Sequence, residues 1–83
     1  MSAKKAPSQK QPVRLELNNS GAWKAVLQYD AANSGDDADA QNCADDMGRI
    51  SARLGGRQAW RVVDMLTSKT RSEWSVEHGW RDA

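Results

Sequence analysis

Four tryptophans, Trp23, Trp60, Trp74 and Trp80, dominate the aromatic content of an 83-residue chain that has one tyrosine and no phenylalanine. An indole can anchor a protein interface or stack on nucleic-acid bases. It can also fill the space between a helix and a sheet, a role that falls to tryptophan where phenylalanine is absent. Trp23, Trp60 and Trp74 lie in strand-like stretches, which favours the core for the group. Trp80 follows Gly79 close to the last residue. It is a candidate partner contact, with Trp74 as its neighbour in the same alternating run.

Arginine supplies the second pattern. Arg49, Arg53, Arg57 and Arg61 recur every fourth residue, and 49–71 holds six basic side chains against one acid, Asp64. Such a strip could bind phosphates, and with the lysines at the start of the chain it defines a nucleic-acid-binding alternative. The competing reading is local. Asp45 and Asp46 precede Arg49 by four and three residues, the spacing of helix-surface ion pairs worth ~0.2–0.5 kcal/mol each. Gly55-Gly56 also interrupts the helix, so the period need not continue in space.

The remaining reactive residues assemble into no catalytic set. Asp36, Asp37, Asp39, Asp45 and Asp46 lack the spaced acid ladder, central glycine and closing glutamate of a calcium loop. Helix capping accounts for them better. One cysteine and one histidine are too few for a structural zinc site or a disulfide framework. His78 is the sole acid–base candidate, and on a strand Glu77 points to the opposite face. Cys43, on the apolar face of a helix, reads as a buried, inert thiol. We therefore expect no enzyme, no cofactor and no metal.

The formal charge of +1 creates no global field for nucleic acid or a membrane surface. No apolar run approaches the ~20 residues of a membrane helix. Met1–Pro12 contains three lysines and both prolines with no apolar segment after them. It lacks the hydrophobic region of a signal peptide and is expected to be a disordered basic tail. A cytoplasmic location follows as the expectation, with 13–83 as a single domain.

Within that domain, Val13–Leu17 alternates as a half-buried strand. Asn18–Gly21 suits a tight turn, and Ala22–Asp30 forms the second arm of a hairpin. On that arm Trp23, Ala25, Leu27 and Tyr29 share a face. From an N-cap at Asp36 or Asp37 to Leu54, residues Ala40, Cys43, Ala44, Met47, Ile50 and Leu54 mark one helical face, with Gly55 as its stop. Met47 and Ile50, at the centre of the stripe, are expected to anchor the helix. Gln58–Leu66 is a third strand with apolar residues on both sides, and Ser72–Trp80 a fourth.

The order β-β-α-β-β predicts an α+β two-layer sandwich, a mainly antiparallel four-stranded sheet covered by one amphipathic helix. One face of such a sheet stays bare. If Val26, Val63 and Met65 lie there, the patch invites self-association or a protein partner. The stretches VRLELNNSGAWKAVLQYD (13–30) and WSVEHGW (74–80) resemble those of short uncharacterised bacterial or prophage-encoded proteins. The resemblance implies a small accessory role and carries no functional residue with it. The first functional expectation is thus a non-enzymatic protein-interaction module. Its partner-binding candidates are Trp80, Trp74, Val26, Val63 and Met65.

Overall fold

The structure is a computed structural model that describes residues 10–83. Residues 1–9 of the expected tail lie outside the described residues. Its last two residues belong to the domain. Pro12 opens the first strand. Gln11 is tied down on both sides, its N–H donating to Asp30 Oδ1 at 2.8 Å and its carbonyl accepting from Ala31 N–H at 2.9 Å.

The described residues form six elements: β1 (Pro12–Asn18), β2 (Trp23–Asp30), α1 (Ser34–Arg53), β3 (Ala59–Asp64), β4 (Thr70–Ser75) and β5 (Gly79–Asp82). The class is α+β with a single helix, as the pattern predicts, but the sheet has five antiparallel strands in the order β2-β1-β3-β4-β5. The expected fourth strand is two. The chain turns at Val76–His78, and Gly79 takes the left-handed φ of +69° that closes the turn. Trp80 returns directly opposite Trp74. Opposed residues in a hairpin share a face, so the even spacing of Trp74 and Trp80 fits a hairpin as well as one long strand.

Local chemistry sets the other boundaries. The β1–β2 turn closes when Gly21 N–H donates to Asn18 Oδ1 at 2.8 Å, with Gly21 at φ +97°. The helix cap is Asn33, whose Oδ1 accepts from Asp36 N–H at 3.0 Å. Asp36 and Asp37 stand in the first turn instead of capping, where their charge complements the helix dipole. Gly55, at φ +85°, ends the helix.

A bulge corrects the expected faces of β2. Leu15 pairs with Leu27 but Glu16 pairs with Ala25, so Val26 has no partner. The alternation therefore shifts by one residue. Leu27 and Tyr29 join Val13 and Leu15 under the helix. Trp23 and Ala25 lie on the far face with Asn18 and Glu16.

The core is built from Val13, Leu15, Trp60, Val62 and Trp74 below, and Ala40 and Ala44 above. The helix meets the sheet through its smallest side chains, Ala40, Ala44 and Gly48, spaced four apart and all buried. Two indoles fix it from beneath. Trp74 Nε1 donates to Asp45 Oδ1, and Trp80 Nε1 to the Gln41 carbonyl, each at 2.8 Å. Rings of that size fill the interlayer space and leave room only for small residues above. The expected anchors are displaced: Met47 is 49% and Ile50 46% exposed. No described helix is long and apolar enough to cross a membrane.

Candidate functional site

The helix carries two apolar rows about a quarter-turn apart. Ala40, Ala44 and Gly48 face the tryptophans. Cys43, Met47, Ile50 and Leu54 form the second row, which points sideways along the sheet instead of into it. Leu54 is 81% exposed. Beside this row runs β2, where Val26 and Leu27 are also exposed. Between them lies a groove of about 470 Å³, floored by Leu15, Leu27 and Trp60 and walled by Val26 and Met47. A second depression of about 380 Å³ continues it along Ile50 and Leu54 to Gly56 and Gln58.

The polar groups of the groove gather at one end. Asp36 and Asp39 line it there. Tyr29 O–H donates to Asp37 Oδ1 at 2.8 Å, and Gln41 Nε2 donates to the same oxygen at 3.3 Å. Burial and then the Asp37 carboxylate push the Tyr29 phenol well above its ordinary value.

The groove adjoins an open sheet edge. Among the described residues β2 pairs only with β1, and Trp23–Gln28 are all exposed. The opposite edge, β5, is four residues long and carries Arg81 and Asp82. Short, charged strands resist pairing, whereas an eight-residue strand whose single cation is Lys24 does not.

The sheet face away from the helix is not the bare apolar patch that the pattern suggested. Its centre is Glu16, 6% exposed. Glu16 Oε1 accepts from Arg61 Nε at 2.7 Å and Oε2 from Arg14 Nε at 2.9 Å. Burial opposes ionisation of Glu16, but the two guanidinium hydrogen bonds outweigh it and hold the carboxyl below its ordinary value. Arg61 also lies 4.1 Å over the Trp23 ring, a cation–π contact. Further across, Glu73 stands between Arg61 and Arg81 in the strand register.

The predicted contact residues are scattered. Val63 is on this charged face, opposite Arg14, but is 3% exposed. Val26 faces the groove on the other side. Met65 lies in the turn after β3, its N–H bonded to the Pro12 carbonyl at 3.0 Å. Trp74 is buried, and Trp80 is half-buried under Gln41. Of the five, Val26 alone borders the groove.

The arginine strip also comes apart. Arg49 bonds Asp45 Oδ1 at 3.0 Å and stands 6.0 Å from the Trp74 ring centroid, the ion pair its spacing predicted. Arg53 and Arg57 are exposed at and beyond the helix end. Arg61 is on the far side of the sheet. Cys43 is exposed and not buried, because the row it belongs to is the sideways one. His78 is exposed in the β4–β5 turn. No group of three His, Cys, Asp or Glu residues that could hold a metal occurs among the described residues.

The sequence reading missed the groove because it merged the two helical rows into one stripe. Residue size separates them: alanines and glycine at 40, 44 and 48, against Cys43, Met47, Ile50 and Leu54. No family model, curated protein or solved structure matches the chain.

Proposed function

We propose that this chain is a non-enzymatic protein-interaction module whose docking surface is the groove between α1 and β2. The observation that carries the reading is contiguity. Val26, Leu27, Met47, Ile50 and Leu54 are exposed large apolar side chains along one groove, and contiguous apolar surface of this kind marks interaction sites. The open β2 edge beside it adds main-chain donors and acceptors, the combination used by strand-addition recognition. An accessory role is part of this proposal, as the resemblance to short bacterial or prophage-encoded proteins implies. An exposed free Cys43 suits a reducing, cytoplasmic compartment.

The test is photo-crosslinking in cells, with a photoactivatable residue in place of Leu54 and, separately, of Arg81. Protein adducts from position 54 and none from position 81 are expected. Adducts with nucleic acid alone would instead promote the nucleic-acid alternative, and the absence of protein adducts at position 54 would sink the docking reading.

A further inference from the structure

We infer that the open β2 edge pairs antiparallel with β2 of a second copy of this chain, about a twofold axis between Val26 and Leu27, giving one continuous sheet. This rests on the β2 side of the molecule being a docking surface. It assigns the strand edge, not the interior of the groove, and the register of the strand with itself identifies the partner.

Each residue of β2 has a defined face. Lys24, Leu27 and Tyr29 pair with Leu17, Leu15 and Val13, which build or pack against the core, so all three lie on the helix side. Val26 lines the groove on that side. Trp23, Ala25, Gln28 and Asp30 pair with Asn18, Glu16, Arg14 and Pro12 and lie on the far side. A twofold axis normal to the sheet opposes residues of the same face. One register does this for all eight residues of the strand. It sets Trp23 opposite Asp30 of the second copy, Lys24 opposite its Tyr29, Ala25 opposite its Gln28 and Val26 opposite its Leu27. A slip of one residue opposes Ala25 to Tyr29 or Leu27, and a slip of two opposes Leu27 to Gln28 or Ala25 to Val26, in each case from different faces. The bulge creates this match. A regular strand opposes itself with one residue on the axis, whereas here Val26 and Leu27 share a face and the axis passes between them.

The same register supplies what β2 lacks. Trp23 Nε1 is the one indole nitrogen with no acceptor among the described residues. It comes beside Asp30 of the second copy, whose Oδ1 takes the Gln11 and Ala32 N–H groups and whose Oδ2 accepts no hydrogen bond among those residues. Lys24, the single cation of the strand, takes part in no ion pair among them. It comes beside Tyr29 of the second copy, whose O–H is bonded to Asp37, so ammonium meets carboxylate. Val26 and Leu27, 53% and 47% exposed, meet their counterparts at the axis. Each α1 starts by the Tyr29 end of its own β2 and is tied further along to Trp74 and Trp80, so the two helix starts lie at opposite ends of the shared edge.

The experiment is sedimentation velocity of the full chain across a wide concentration range, with cross-linking to fix the register. A monomer–dimer equilibrium is expected. Lys24→Glu, at an exposed position, should retain the circular dichroism of the fold and weaken the dimer at least about tenfold. The indole N–H of Trp23, open in the monomer, should exchange more slowly as concentration rises, while that of Trp60 should not change. In a Cys43→Ser background, a mixture of Ala25→Cys and Gln28→Cys chains should form a disulfide-linked heterodimer under copper phenanthroline, because opposed residues stand about 4.5–5.5 Å apart, within disulfide reach. A mixture of Lys24→Cys and Gln28→Cys, on different faces, should not.

A chain that stays monomeric at the highest concentration overturns the inference, as does a dimer without the 25–28 link or one indifferent to Lys24→Glu. If the monomeric chain still yields protein adducts from position 54, the docking reading stands and only the second-copy assignment falls. If it is monomeric and position 54 traps no protein, both fall.

Discussion

Gly48 sits directly over the Trp74 indole, so closely that a Cβ built on this glycine would overlap three atoms of the six-membered ring. The contact sets how near the helix approaches the sheet. Trp74 cannot retreat readily, because it is 2% exposed and its Nε1 is bonded to Asp45. Gly48→Ala, which gains about 1 kcal/mol of intrinsic helix propensity in an exposed helix, should here destabilise the fold by roughly 1–3 kcal/mol through overpacking. Urea denaturation of the two proteins decides between the signs. A more stable alanine variant would mean that the helix rides higher over Trp74.

Leu15 and Ile50 should respond unequally to truncation. Leu15 is 3% and Ile50 46% exposed. Leu15→Ala should cost about 2–5 kcal/mol, the range for a buried leucine. Ile50→Ala should cost under about 1 kcal/mol in the monomer, because that side chain already spends much of its surface in water. Thermal unfolding at dilute concentration is the measurement, and equal losses would place the second helical row in the core.

Glu16 should tie stability to acid pH. Its folded carboxyl titrates below the ordinary 4.5, so its contribution is present above that value and is lost as pH falls through the folded one. Glu16→Gln should lower stability at pH 7 by roughly 1–3 kcal/mol, the scale of charge-assisted hydrogen bonds. The gap between the two proteins should close as pH drops below 4.5 and through the folded-state value. Thermal midpoints across that window test it. Asp30 and Asp45 are also held low, Asp30 by the backbone N–H groups of Gln11 and Ala32 and Asp45 by the Trp74 and Arg49 hydrogen bonds. Both remain in the variant, so the difference isolates Glu16.

The indole N–H groups should exchange with solvent at two rates. Those of Trp60, Trp74 and Trp80 donate to Gln58 Oε1, Asp45 Oδ1 and the Gln41 carbonyl. Trp23, 37% exposed, has its ring under Arg61, and its N–H should exchange fastest. Proton exchange followed by NMR should give Trp74 and Trp80 the slowest rates, since both tie the helix to the sheet. Rapid exchange at Trp80 would show that β5 detaches.

Oligonucleotide binding should be weak. Arg49 is paired, Arg61 is bound to Glu16 on the far side of the sheet, and Arg53 and Arg57 remain. Few phosphate contacts give non-specific affinity no better than ~0.1 mM near physiological salt. A submicromolar complex that persists at that salt and is lost in Arg53→Glu with Arg57→Glu would establish the nucleic-acid alternative.

The α+β class, the β1–β2 hairpin, the single helix and its stop at Gly55 were legible in the sequence, because alternation, helical period and turn glycines act within a few residues. The Asp45–Arg49 pair was legible for the same reason. The fifth strand was not: Trp74 and Trp80 keep the same spacing parity whether the chain runs straight or turns at Gly79. The β2 bulge was also hidden, since it arises from the register with β1, and it moved Trp23 to the charged face while keeping Leu27 under the helix. Only tertiary packing decided which helical row met the sheet. Period alone makes Met47 and Ile50 the centre of the stripe, but two indoles rising from β3 and β4 admit only Ala40, Ala44 and Gly48 above them. The larger side chains were thereby turned outward to line the groove.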